Sequence, residues 1–316
     1  MPEGGSSIFT DADGYQAVIQ DILDLLVLQP RAFHARLTWV DLPNLQLLRA
    51  RESSARVGFL RLPSDQVFAT FATAPNSTLH YNDVALQFGD LMLHSRGEFL
   101  HQRTTAACEW ASIAITPAAL SKFGRTLAGR TLMAPAAGQS VRPRRADGRR
   151  FERLHRRVCN VVERKLDNLS NREVVRALEQ DLIEALINCL AYGAGQQDRQ
   201  ASQNRPDVPR AFEALLAKEP CRLLRTQEIC TSLGISEATL RAKCSLALGM
   251  SPGQYQRLRR LKLLRTELLQ ARSSSESAIE DMVVRYGFSG LHRFVTEYWR
   301  IYGEMPPIHP VAPADR

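Results

Sequence analysis

The spacing of apolar positions changes character along the chain. Residues 1–30 carry one stripe at helical spacing, Val18, Ile22, Leu25 and Leu26, closed by Pro30, which predicts a helix. Between Arg36 and Ala114 the apolar residues fall instead in short runs rich in β-branched and aromatic side chains. These are Leu37–Val40, Leu45–Leu48, Arg56–Leu60, Gln66–Phe71, Val84–Phe88 and Trp110–Ile115, punctuated by Pro43, Pro63, Pro75 and Gly89. Short strands at this spacing predict a β-sandwich or small barrel. Two helical stripes follow. One runs Phe151, Leu154, Val158, Val161, Val162, Leu166 and Leu169. The other, after the polar turn Asn168–Asn171, runs Val174, Val175, Leu178, Leu182, Leu186 and Leu190. The two helices are expected to cover the β-rich part or a twin pair in a second subunit. Leu154, Val158, Val161, Leu178, Leu182 and Leu186 are the dimerisation candidates.

Gly193–Pro206 is Gly, Gln, Asn and Ser without apolar periodicity, which predicts an interdomain linker over 193–206. The expected fold class is therefore α+β. A domain over 1–192 is β-rich over 30–125 with helices over 150–192, and an all-helical domain covers 207–308. A length of 316 residues fits two such domains.

The helical part contains a repeat. Glu228-Ile-Cys-Thr-Ser-Leu-Gly-Ile-Ser236 returns 53 residues later as Asp281-Met-Val-Val-Arg-Tyr-Gly-Phe-Ser289. Each copy suits a helix-turn-helix. Gly234 and Gly287 can take the left-handed conformation that ends a helix. Ile235 and Phe288 plug the corner, and Ser236 and Ser289 are placed to cap the next helix. Cys230 and Val283 sit where two helices cross closely. One such motif is weak, but two joined by a basic helix are a stronger signal. That connector, Gln254–Leu269, is expected to present Leu258, Leu261, Leu264, Leu268 and Leu269 on one face. Arg257, Arg259, Arg260, Lys262 and Arg265 form its charged face. At ~27 Å long it can hold two reading helices about one duplex turn apart.

Charge strengthens this reading. The chain carries a formal net charge of +8. From Lys218 to Glu304, 14 cations oppose 9 anions, and Arg142–Arg157 holds 8 arginines against 2 carboxylates. A polyanionic partner fits. The apolar runs are too short to span a membrane, and the polar opening Met1–Ser7 has no signal-peptide pattern, so a cytoplasmic protein is expected. Cys108, Cys159, Cys189, Cys221, Cys230 and Cys244 are scattered, without a Cys-x-x-Cys pair, and read as buried free thiols.

Residues 210–308 resemble the DNA-binding domain of the AraC/XylS transcription regulators. The carrying residues are Leu233-Gly-Ile-Ser236 with Leu240, Gly249-Met-Ser-Pro252 with Tyr255, Arg260-Leu261 and Leu268-Leu269. In the second half they are Gly287-Phe-Ser289, Phe294, Tyr298, Tyr302-Gly303 and Pro306. Arg-Leu-Arg-Arg-Leu at 257–261 and Arg293-Phe294 resemble the subgroup containing the ethanolamine-operon activator. Residues 30–125 are more loosely similar to the family's cupin-like sensory domain, with Gly89-Asp-Leu-Met-Leu93 resembling a cupin strand entry. The sequence departs from the family pattern at Ala242, where arginine is usual, at Cys244, where an aromatic is usual, and at Val283, where alanine is usual.

The resemblance implies a non-enzymatic transcription regulator, an activator by analogy. It implies promoter DNA as partner, a homodimer, contact with RNA polymerase and an unidentified small-molecule effector, with no cofactor. Carried over position by position, Ala238, Arg241, Ala242, Leu291, His292, Val295 and Thr296 face bases. Arg241 suits a guanine edge, His292 can donate or accept, and Leu291 offers apolar contact. Ser236, Thr239, Arg257, Arg260, Ser289 and Arg293 are assigned to phosphate.

Two alternatives stay open. One is a metal-dependent cupin-like enzyme fused to a DNA-binding module, on His80, His94 and His101 with Tyr81, Glu98 and Glu109 nearby. These show no metal-ligand spacing, and no catalytic motif occurs, so no metal is expected. The other is a repressor that senses nothing. Trp39, Phe59, Phe71, Phe88 and Trp110 either line an apolar pocket or fill the core.

Overall fold

The computed structural model describes residues 3–19, 22–28, 33–164, 172–195, 207–271 and 276–308. They fall into two compact units, Met1–Leu25 with Phe33–Arg205 and Leu26–Ala32 with Pro206–Arg316. Most of the 193–206 segment lies outside the described residues, as do Leu166, Leu169 and the turn between the two long stripes.

The chain opens with β1 (Glu3–Phe9), α1 (Ala12–Val18) and β2 (Ile22–Val27), which belongs to the first unit as far as Leu25. The strands β3 (Ala35–Asp41), β4 (Leu45–Glu52), β5 (Arg56–Arg61), β6 (Val67–Ala72), β7 (Leu79–Tyr81) and β8 (Val84–Leu86) follow. Then come β9 (Leu91–Leu93), β10 (Phe99–Thr104), β11 (Cys108–Ile115), α2 (Pro117–Ala128), β12 (Gln139–Arg142), α3 (Arg145–Glu163), α4 (Arg172–Tyr192) and β13 (Ala194–Gly195). Two sheets form, in the orders β1-β3-β4-β11-β6-β9-β12-β13 and β2-β5-β10-β7-β8. The architecture is a β-sandwich with flanking helices rather than a closed barrel.

The N-terminal expectation of a helix reaching Leu26 is corrected. Helix α1 stops at Val18, and Ile22–Val27 is a strand with Ile22, Leu25, Leu26 and Val27 all buried. The Gln16 side chain bridges the change, donating to the Leu23 carbonyl at 3.1 Å and accepting from the Leu25 amide at 3.1 Å. Three apolar residues at helical spacing also suit a strand buried on both faces, and tertiary pairing decides between them.

The larger sheet is buried on both sides, with alternate residues serving different layers. On β4 and β11, Leu45, Leu47, Ala111, Ile113 and Ile115 join Leu120 of α2, Phe151, Val158 and Val162 of α3, and Leu182 and Leu186 of α4 in one core. Val158, Leu182 and Leu186 are therefore intrachain core, which corrects their assignment to a dimer seam. Burying them under the sheet already removes their apolar surface from water. Leu154 and Leu178 pack partly buried on the same core, and Val161 is half-buried. His155 sits in this layer with its Nε2 3.4 Å from the Ser112 carbonyl, and burial holds its imidazole down at about 4.

The opposite face carries a charge inside the sandwich. Glu52 of β4 accepts from Tyr15 Oη at 2.7 Å, Trp110 Nε1 at 2.8 Å and Arg56 of the other sheet at 3.0 Å. Arg56, fully buried, also donates to the carbonyl of Gln102 at 3.1 Å and to its side-chain oxygen at 2.6 Å. Gln102 in turn donates to Tyr81 Oη at 2.8 Å. The pair is tolerable because its polar atoms are so fully matched.

The second unit contains α5 (Val208–Lys218), α6 (Thr226–Leu233), α7 (Glu237–Leu248), α8 (Pro252–Gln270), α9 (Glu276–Arg285) and α10 (Leu291–Tyr302). Helix α8 starts with a capping box, in which the Gln254 amide donates to Ser251 Oγ and the Ser251 amide donates to Gln254 Oε1 at 3.0 Å. Its Leu261, Leu264 and Leu268 pack with Ile279, Val283, Phe288, Phe294 and Tyr298. Leu258 is half-buried, and Leu269, expected on the apolar face, is exposed.

Candidate nucleic-acid interface

Helices α6 and α7 form the first helix-turn-helix. Gly234 closes α6 at φ 65°, and the Ile235 amide donates back to the Cys230 carbonyl at 3.1 Å. Ser236 then caps α7, its Oγ accepting from the Thr239 amide at 3.1 Å and lying 2.9 Å from Thr239 Oγ1. Leu240, Cys244 and Leu248 turn inward and are buried. Burial pushes the Cys244 thiol up to about 12, so it stays protonated. The opposite face leaves Ala238, Arg241 and Ala242 exposed, with Ser236 and Thr239 at its N-terminal end. Arg241 is held by Glu237, one turn earlier, at 2.5 Å.

Helices α9 and α10 form the second. Gly287 has φ 72°, and the Phe288 amide donates to the Val283 carbonyl at 3.1 Å. Here the cap differs from expectation. The N-cap is Gly290, at φ 137°, and no side chain caps α10. Ser289 lies one residue too early for that role, and its Oγ accepts only a long 3.5 Å contact from Arg293. Phe294 and Tyr298 are buried, while His292, Arg293 and Thr296 are exposed. Thr296 donates its hydroxyl to the His292 carbonyl at 3.0 Å. Leu291 and Val295 are corrected from base-facing to half-buried positions that pack on the α8–α10 core, because they share the inward side with Phe294 and Tyr298.

The arginines of α8 are occupied inside the unit. Arg260, only 6% exposed, donates to the Tyr286 carbonyl at 2.6 Å and lies 5.6 Å from the Phe288 ring centre. This corrects its assignment to phosphate, since its guanidinium braces the second turn. Burial and neighbouring Arg257 lower its pKa. Arg257 forms a bidentate pair with Glu297 of α10, and Arg259 lies 3.7 Å from Glu213 of α5. Arg265 donates to Tyr298 Oη at 2.5 Å and stacks 4.6 Å from the Tyr302 ring centre. Glu297 also lies 3.8 Å from Arg293, so one carboxylate clasps two expected phosphate contacts. The Arg293–Glu297 spacing was visible in the sequence, but the Arg257–Glu297 pair, 40 residues apart, was not. Exposed Trp299 and Arg300, one turn beyond Thr296, were also missed. The i, i+4, i+7, i+8 spacing from His292 was the available signal.

The histidines of the first unit do not converge. His94 lies 2.9 Å from Thr70 Oγ1 and 3.2 Å from Glu98, while His101 stacks 4.9 Å from Phe59. Burial and Arg103 lower the pKa of His80. Among the described residues no group of three His, Cys, Asp or Glu side chains is arranged to hold a metal, and no helix is long and apolar enough to cross a membrane. Trp110 and Phe71 are buried, Trp39 and Phe59 half-buried, and Phe88 exposed.

Residues 229–307 match a protein-family model described as a helix-turn-helix domain. Among solved structures, the chain is similar to the AraC-like transcriptional activator CuxR, at 16% identity over 84% of this chain and 95% of that one, with a TM-score of 0.40. It is also similar to ToxT from Vibrio cholerae, at 11% identity over 84% of this chain and 97% of that one, with a TM-score of 0.29. A shorter likeness, 13% identical over 30% of this chain and 28% of that one with a TM-score of 0.21, is to an oxalate decarboxylase.

Proposed function

We propose that this chain, whose residues 229–307 are a helix-turn-helix domain, is a sequence-specific DNA-binding transcription regulator of the AraC/XylS family. The observation that carries the reading is the coincidence of that match with two glycine-turned helix pairs joined by α8. The resemblance of Arg-Leu-Arg-Arg-Leu at 257–261 and of Arg293-Phe294 supports placing it in the subgroup containing the ethanolamine-operon activator. The reading assigns residues 207–308 to DNA binding, 193–206 to a linker and 1–192 to sensing and dimerisation. It places the protein in the cytoplasm as a homodimer acting with RNA polymerase, an activator whose work is binding rather than catalysis.

In this reading α7 and α10 enter the major groove. Arg241 leaves Glu237 to give paired donors to a guanine, and His292 reads a second edge. Ala238, Ala242 and Thr296 offer close, small contacts. Ser236, Thr239, Ser289, Arg293 and Arg257 fix register on phosphate, the last two after exchanging Glu297 for the duplex. Half-buried Leu154, Val161 and Leu178 remain the dimer candidates.

Retention of genomic fragments by the purified full-length chain, measured against salt, tests the reading. Enrichment of discrete fragments over bulk DNA, with affinity falling as salt rises, is expected. Uniform retention of all fragments contradicts sequence-specific regulation.

A further inference from the structure

A cleft of about 420 Å³ opens in the first unit between the end of β6, the turn entering β9 and the start of α3. Its size falls in the ordinary range of small-molecule sites. The floor is apolar: the Phe71 and Phe151 rings, both buried, lie 5.1 Å apart beside Leu91. Phe88, 42% exposed, forms the lip.

The rim carries four arginines against Asp90 and Glu152, the latter paired with Arg156 at 3.1 Å, and the four arginines differ in occupation. Arg142 is committed to buried Asp90 through bonds of 2.7 and 2.8 Å. Arg144 lies over the Tyr192 ring at 4.6 Å. Arg145 and Arg149, exposed and one helical turn apart, make no side-chain hydrogen bond or ion pair among the described residues. Like charges at this spacing repel and weaken a helix. Helix α3 also begins at this cleft without a side-chain cap, since its N-cap is Arg144. Its first-turn amides add positive potential, partly offset by Asp147 of the same turn.

Rim and floor together select the ligand chemistry. A bare inorganic anion satisfies the two guanidiniums and leaves the exposed Phe88 lip and the cleft above the buried Phe71 and Phe151 rings to water. A neutral apolar molecule covers the floor and leaves the like charges unmatched. We propose that this cleft binds a small organic carboxylate with an aromatic or aliphatic body, its carboxylate between Arg145 and Arg149 and its body on Phe71, Phe88 and Phe151. Paired guanidinium–carboxylate bonds supply orientation, and removing the ligand's apolar body and the Phe88 ring from water adds attraction. Binding stands apart from the DNA reading; only the further step, that the ligand is the effector, rests on it.

The test is calorimetric titration of the full chain with 4-phenylbutanoate, 4-phenylbutan-1-ol and inorganic phosphate. Saturable binding of one 4-phenylbutanoate per chain is expected, at least tenfold tighter than the alcohol or phosphate. The double variant Arg145→Ala/Arg149→Ala should lose at least tenfold for the carboxylate, and Phe88→Ala a smaller factor. Both sites are exposed, and an unchanged melting curve verifies that the variants fold. No saturation at millimolar carboxylate, equal affinity for acid and alcohol, phosphate binding as tightly as the carboxylate, or an unaffected double variant overturns the proposal. DNA retention in the same samples separates the two readings. Carboxylate binding without sequence-specific retention sinks the regulator and leaves the cleft. Retention indifferent to the carboxylate sinks only its role as effector.

Discussion

The two helix-turn-helix units share a turn but stabilise it by different means. In the first, the instructions are local. Gly234 closes α6, Ser236 caps α7 within three residues, and a Cβ at Gly234 would meet nothing within 4 Å. In the second, α10 starts from Gly290 without a side-chain cap. Its turn is held from a distance by Arg260, whose Nη1 would lie 2.4 Å from a Cβ on Gly287. The aromatic series Phe288–Phe294–Tyr298, with centroids 5.6 and 5.7 Å apart, completes the support. One motif is written in its own residues, and the other depends on the connector helix.

Substitutions should expose that asymmetry. Arg260→Ala removes a buried donor, its stacking on Phe288 and its packed stem, and should cost ~2–4 kcal/mol in urea or thermal unfolding of the full chain. A loss under ~0.5 kcal/mol, with DNA binding weakened equally for all sequences, would restore Arg260 to the phosphate set. Gly287→Ala should cost ~2 kcal/mol or more, and Gly234→Ala only ~1 kcal/mol, since both meet left-handed strain but only the former displaces Arg260. Equal losses would break the comparison.

For DNA, Arg241→Ala should cost ~1–3 kcal/mol on the preferred site and little on bulk DNA, as read by competition binding. At the small end, Ser236→Ala should cost ~1 kcal/mol and Ser289→Ala under ~0.5 kcal/mol, because only the former caps a helix. A Ser289→Ala loss matching Ser236→Ala would show that α10 is capped after all.

What was legible in the sequence follows the same division between local and distant causes. The glycine turns, the Ser236 cap and the strands around Leu37, Leu45, Phe59, Phe71 and Trp110 are set by neighbours within a few residues, and pattern reading reaches them. The burial of Arg260 is set by a carbonyl 26 residues away, so an arginine on the polar side of a helical wheel read as solvent-facing. The clasp at Glu297 and the core role of Val158, Leu182 and Leu186 likewise depend on packing between elements. Ile22–Val27 was misread because a short apolar run satisfies either period until its sheet partners are known. The candidate reading face was partly legible. Exposure of Arg241 and His292 follows from periodicity, whereas the inward turn of Leu291 and Val295 requires knowing how α10 rolls on α8.

Selection of bound duplexes from a random pool by the full-length chain, repeated with Arg241→Ala and His292→Ala, tests most directly whether α7 and α10 read DNA as a pair. The account predicts a site with two conserved blocks about one ~34 Å helical turn apart. Arg241→Ala should relax one block and His292→Ala the other. A selected site with a single block, or one unchanged in both variants, would contradict it.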